Sequence, residues 1–108
     1  MTEVELDPVI HAQARLRVVA TLASLSTGDR IAFPKLQRLL SMTAGNLSTH
    51  LRRLEEAEYV AIGKTFEGRS PATYLALTVK GRHAFENYTE ALSSLLMGTR
   101  DGNDRQRA

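Results

Sequence analysis

Between Phe33 and Tyr59 the chain reads FPKLQRLLSMTAGNLSTHLRRLEEAEY, two short amphipathic helices joined by a tight turn. Two such helices so close together also occur in many proteins that bind nothing, so what flanks them decides the reading. In the first, Leu36, Leu39 and Leu40 recur at spacings of three and four, and Pro34 sits where a first-turn residue lacks a hydrogen-bond partner anyway. In the second, Leu47, Leu51 and Leu54 repeat the stripe. Thr43 is placed to cap it, its side-chain oxygen able to accept from an orphan backbone N–H. The expected helices are 34–41 and 44–57. Opposite the leucines, the second helix carries Asn46, Ser48, Thr49, Arg52 and Arg53: short polar groups near its start, cations one turn later.

The flanking sequence extends this pair on both sides. Asp7 followed by Pro8 reads as a cap and first-turn proline opening a helix over 8–25. Val9, Ala12, Leu16, Val19 and Ala23 form one apolar stripe of it, and Ile10, Ala14, Val18, Leu22 and Leu25 a second. So wide a band implies burial on two sides, one of them against something outside the domain. Residues 26–29 form a loop and 30–32 a short strand. Beyond the second helix, 59–66 and 72–78 read as strands, with EGRSP as the hairpin tip and Gly68 supplying its φ freedom. Thr78 then caps a last helix over 79–97, in which Phe85, Tyr88, Leu92 and Leu95 share a face widened by Ala84, Ala91 and Leu96. The remaining GTRDGNDRQRA, residues 98–108, has no apolar residue before its terminal alanine and is expected to be disordered.

At 108 residues the chain makes one domain, residues 1–97, burying roughly two-thirds of its unfolded surface over a modest core. A dimer interface would enlarge that core, and Ile10, Phe85, Leu92 and Leu95 are the residues expected to form it. No run approaches the roughly 20 apolar residues that span a bilayer, and the acidic N-terminus MTEVELDPVI is unlike a basic signal peptide. The expected location is the cytoplasm. The absence of cysteine excludes disulfides, thiolate ligands and thiol redox sensing. No glycine-rich phosphate loop and no carboxylate pair around a histidine marks an enzyme. His11 and His83 lack the further ligands a metal needs, so neither metal nor cofactor is expected, and His50 belongs at the edge of the core. The net charge of +2 says little; its distribution says more, with Arg52, Arg53 and the stretch 64–69 basic.

Two helices and a β-hairpin in this order make a winged helix-turn-helix, mainly α with a small wing, flanked here by N- and C-terminal dimerisation helices. Short polar groups followed by cations suit a DNA major groove. The segments LDPVIHAQARLRVVATLASL, FPKLQRLLSMTAGNLSTHLRRLEEAEYV and GRSPATYLALTVKGRHAFENY resemble the small winged-helix transcriptional regulators related to the MarR and ArsR families. The middle segment is the most specific, with its small residue, Asn, Leu, Ser and the following His-Leu-x-x-Leu-Glu run.

By that resemblance Asn46, Ser48, Thr49 and Arg52 match positions that face base edges or phosphates, with Thr43 at the head of the same helix. Arg69 matches a wing-tip arginine that enters the minor groove, and Lys64 and Arg53 become phosphate contacts. The implied function is a homodimeric, sequence-specific DNA-binding regulator, a repressor, on a roughly palindromic operator. The alternative is a winged helix that docks a protein partner without reading DNA; the polar face and basic wing favour DNA. A small-molecule effector between dimer helices and winged core is compatible with the family, and no residue set identifies it. One departure stands out: the relatives have glycine just before the aromatic residue that starts the wing, and here that position is Glu58. A left-handed conformation there would cost roughly 1 kcal/mol. Glu56, one turn beyond Arg52, is placed to compete for that cation.

Overall fold

The computed structural model describes residues 4–107, with side chains for residues 4–98. Its elements are helix α1 Gln13–Ala23, strand β1 Ile31–Ala32, helices α2 Phe33–Leu40 and α3 Ala44–Glu56, strands β2 Val60–Glu67 and β3 Ser70–Leu77, and helix α4 Val79–Arg107. The sheet is antiparallel in the order β1-β3-β2. This is the winged helix fold expected from the sequence. Val18, Val19 and Leu22 of α1, Leu36 and Leu40 of α2, Leu47, Leu51 and Leu54 of α3, and Ile31, Val60 and Leu75 of the sheet form one buried cluster. Burial of these side chains, at about 1.5–3 kcal/mol each, is the main stabilising contribution.

Four expectations are corrected. The first helix begins at Gln13 rather than residue 8. Asp7 does cap, its carboxylate accepting from the backbone N–H of Val9 at 2.8 Å, but what it opens is a single turn. Ala12 is extended (φ −138°, ψ 126°), and the break seats Ile10 entirely in the core. His11 Nδ1 meets Tyr88 Oη at 2.8 Å and Tyr59 Oη donates to Asp7 Oδ2 at 2.5 Å, so tertiary contacts outweigh the extra helical hydrogen bonds. Secondly, Leu39 is 59% exposed: the side of α2 that meets the core is the one carrying Leu36 and Leu40, one turn apart, and Leu39 lies about 100° round from Leu40. Thirdly, the strands run on to Glu67 and start again at Ser70, leaving Gly68 and Arg69 as a two-residue turn with Gly68 at φ 65°. Finally, α4 passes residue 97 and continues to Arg107. No proline stops it, and Gly98 and Gly102 lower helix propensity without ending it. Ala108 lies outside the described residues.

The exit from α3 decides how the wing is set. Glu58 N–H donates to Glu55 O at 2.8 Å and Tyr59 N–H to Leu54 O at 2.9 Å, the paired bonds of a Schellman ending, with Glu58 left-handed at φ 65°. The returning strand closes on the same two residues. Thr78 N–H donates to Tyr59 O at 3.0 Å, Thr78 Oγ1 to Glu58 O at 2.6 Å, and the same Oγ1 caps α4 by accepting from Gly81 N–H at 2.8 Å. A Cβ on Gly81 would lie 2.1 Å from the Tyr59 carbonyl oxygen, so only glycine permits this approach.

Two substitutions at this junction should therefore act in opposite directions. Glu58→Gly should stabilise the fold by up to about 1 kcal/mol, by relieving the left-handed strain net of the added unfolded-state entropy. The exposed Lys80–Glu58 ion pair at 3.7 Å offsets little of this. Gly81→Ala should destabilise by about 1–3 kcal/mol through overpacking against backbone. Denaturant titration of both variants checks the pair of signs.

Candidate nucleic-acid interface

The turn between α2 and α3 is closed at both ends by local bonds. Ser41 is left-handed (φ 53°, ψ 44°), with Met42 N–H on Gln37 O at 3.3 Å, which ends α2 without a glycine. Thr43 Oγ1 then accepts from Asn46 N–H at 3.1 Å, the cap expected of it. With Leu47, Leu51 and Leu54 buried, the rest of α3 has no choice of orientation. Thr43, Asn46, Ser48, Thr49, Arg52 and Arg53 are all exposed.

Their availability differs. Thr49 Oγ1 donates to Gly45 O at 3.0 Å, so its hydroxyl proton is engaged and its methyl and lone pairs remain for a ligand. Arg52 makes no ion pair with Glu56 among the described residues, and the anticipated competition is absent there. A Cβ on Gly45 would meet nothing within 4 Å, so nothing within the chain requires glycine in this first turn. The missing side chain leaves open space beside the first turn of α3.

Ser48 and Arg52 of α3 face Lys64 of β2 and Thr73 of β3 across an open cleft, whose floor is made by Phe33, Leu51, Ile62 and Leu75. Three of the eight residues singled out in the sequence are thus brought onto one concave surface. Thr43, Asn46 and Thr49 lie toward the start of α3, outside the cleft walls, and Arg53 points off the cleft. Arg69 stands in the turn at the far end of the hairpin, exposed like Lys64. Glu55 also lines the cleft with Arg52 and Lys64, a carboxylate not among the residues singled out in the sequence.

Beneath this surface the residue that starts the wing is tied to the N-terminal segment. Hydrogen bonding to Asp7, partial burial and the nearby carboxylate charge raise the Tyr59 phenol from 10.0 to about 12. Of the residues expected at a dimer interface, Ile10 is completely buried in its own protomer and has no surface to offer. Phe85 packs half-buried against the core, Leu92 is half-buried, and Leu95 is 45% exposed. His11 is engaged by Tyr88, and His50 is half-buried at the core edge with its Nδ1 enclosed.

Residues 14–96 match the family described as winged helix DNA-binding domain. The chain belongs to that family. This winged helix is 34% identical over 80 residues to the uncharacterized protein MJ0432 of Methanocaldococcus jannaschii, across 74% of this chain and 84% of that one. The transcriptional regulator homologue protein from Pyrococcus horikoshii OT3 superposes with a TM-score of 0.76 at 25% identity, covering 84% of this chain and 87% of its own. MepR of S. aureus, in a complex with DNA, shares the fold with a TM-score of 0.68 at 15% identity, over 92% of this chain and 78% of its own. The winged helix thus shares its family with DNA-binding domains and its fold with transcriptional regulators, as its motifs implied. No helix among its described residues is long and apolar enough to cross a membrane.

The Asp7–Tyr59 bond makes this winged helix sensitive to alkali. A raised phenol pKa means that the stability contributed by the protonated hydroxyl is whole below about pH 10 and is lost as pH rises through about 12. In an ultraviolet titration of tyrosinate, Asp7→Asn should bring one of the three tyrosines to ionise at lower pH, and Tyr59→Phe should remove that late component. A late component that survives in Tyr59→Phe would assign the shift to another residue.

Proposed function

We propose that this protein is a transcriptional regulator that binds duplex DNA as a homodimer, with α3 as the recognition helix in the major groove and the wing gripping the flanking backbone. The observation that carries the reading is the orientation of α3. Its three leucines are buried, its polar residues are exposed, and two of them, Ser48 and Arg52, share a concave surface with Lys64 of the wing. In this reading Asn46 and Ser48 contact base edges, Thr43, Thr49 and Arg53 contact phosphates, and Arg52 reaches either. The open first turn at Gly45 suits close approach of a phosphate. A DNA complex of a protein with the same fold, MepR, supports the class of partner.

The dimer would form through α4, where Leu95, Leu96 and Met97 expose apolar surface on the stretch that leaves the domain core. Leu92 and Phe85 would contribute from its inner part. Repression by occupancy of the operator is the mode proposed. A small-molecule effector would act where the N-terminal segment meets α4, at the groove bounded by Asp7, Tyr59 and Asn87.

Affinity for a selected operator and for random duplex, measured across a salt series, tests the division of labour. Asn46→Ala should cost roughly 1–3 kcal/mol on the operator and much less on random duplex. Lys64→Ala should weaken both nearly equally and reduce the salt slope by about 1 for each protomer engaged. An unchanged operator-to-random ratio for Asn46→Ala, with an altered one for Lys64→Ala, would overturn the assignment of helix as reader and wing as clamp. Absence of binding to any duplex would favour the protein-docking alternative.

A further inference from the structure

The antiparallel register sorts the wing residues onto two faces. Val60, Ile62, Lys64 and Phe66 of β2 alternate with Ala61, Gly63, Thr65 and Glu67, and they pair respectively with Leu77, Leu75, Thr73 and Pro71 of β3. One face therefore begins in the core at Val60 and passes the α3 cleft at Ile62 and Lys64. It emerges at the tip as Phe66 opposite Pro71. The other face carries the acid: Tyr74 Oη bonds Glu67 Oε1, and the Arg30 guanidinium lies 4.2 Å from the centre of the Tyr74 ring. The carboxylate nearest the tip is thus held away from the side that α3 shares with the wing.

Phe66 is 71% exposed and is the one exposed phenylalanine or tyrosine among the described residues. A phenyl ring placed there buries little in the protomer, since its cross-strand neighbour Pro71 is itself exposed. Its surroundings define the occupant. The same face carries Lys64 two residues away, Arg69 stands in the adjoining turn, and the face is continuous with Ser48 and Arg52 across the cleft. An apolar contact flanked by cations and aligned with the polar face of α3 fits the sugar edges of a DNA minor groove, which are apolar between rows of phosphate. A cation-rimmed site is poorly matched to a neutral apolar protein surface.

We infer that Phe66 is a DNA-contacting residue, its ring packed against deoxyribose in the minor groove that flanks each half-site, with Arg69 beside it. The inference rests on the DNA-binding reading above and adds a contact that releases no counterion. Phe66→Ala should weaken operator binding on the order of tenfold or more, from the loss of a buried aromatic ring. The salt slope should stay unchanged, unlike that of Lys64→Ala. Phe66→Leu should recover most of the affinity.

Hydroxyl-radical footprinting of the full-length protein on its selected operator reads the contact directly, because the radical attacks sugars exposed in the minor groove. The wild type should protect the half-site and its flanks, and Phe66→Ala should lose the flank protection while keeping the centre. Equal affinity and equal flank protection in Phe66→Ala would overturn this inference and leave the recognition helix untouched. A reduced salt slope in Phe66→Ala would also overturn it, by showing that the variant displaces charge contacts. A wild-type protein that protects no duplex at all would remove the DNA-binding reading itself, a different and distinguishable failure.

Discussion

Everything that positions the proposed DNA surface converges on the backbone of Glu58 and Tyr59. The Schellman ending stops α3 and turns the chain into β2, the Thr78 bonds return β3 to the same two residues, and Gly81 lets α4 start against the Tyr59 carbonyl. The Tyr59 hydroxyl meanwhile binds Asp7 of the N-terminal segment. Recognition helix, wing, last helix and N-terminal segment are therefore registered to one another at a single left-handed corner. Glutamate there stores strain that the four converging segments hold in place. The consequence is mechanical: the wing cannot change its angle to α3 without disturbing bonds that also seat α4.

That coupling gives the polar surface its meaning. A recognition helix alone presents side chains; a recognition helix with a wing at a fixed angle presents a shape. The open cleft between them combines short donors, cations and an apolar floor, and the hairpin continues its front face out to the tip. The acid of the wing is turned to the rear and bonded by Tyr74. Glu55 is the exception, a carboxylate that lines the cleft together with Arg52 and Lys64 and lowers the positive potential there.

What could be read in the sequence was what local physics decides. The leucines of α3, the Thr43 and Thr78 caps, the turn at Gly68 and the anomaly at Glu58 each follow from spacing or from the conformational demands of one residue. What could not be read was decided by tertiary contact. The Asp7–Pro8 signal is a genuine cap, yet nothing in its neighbours says that Ile10 will be drawn into the core and end the turn. Leu39 fits its stripe and is left outside because the core takes only the side of α2 that carries Leu36 and Leu40. Ser41 took the left-handed place that glycine would have advertised. Of the interface, α3 was legible because its buried stripe fixes its exposed face. The grouping of Ser48, Arg52 and Lys64, and the exposure of Phe66, depended on a strand register that composition does not reveal.

The account stands or falls on one measurement: selection of bound sequences from a pool of random duplex at a stated salt concentration, using the full-length protein. It predicts enrichment of a roughly palindromic site whose half-site centres lie about 34–36 Å apart, one for each recognition helix of a two-fold dimer. Retention of the pool without enrichment, or enrichment of a single unrepeated half-site, would contradict it.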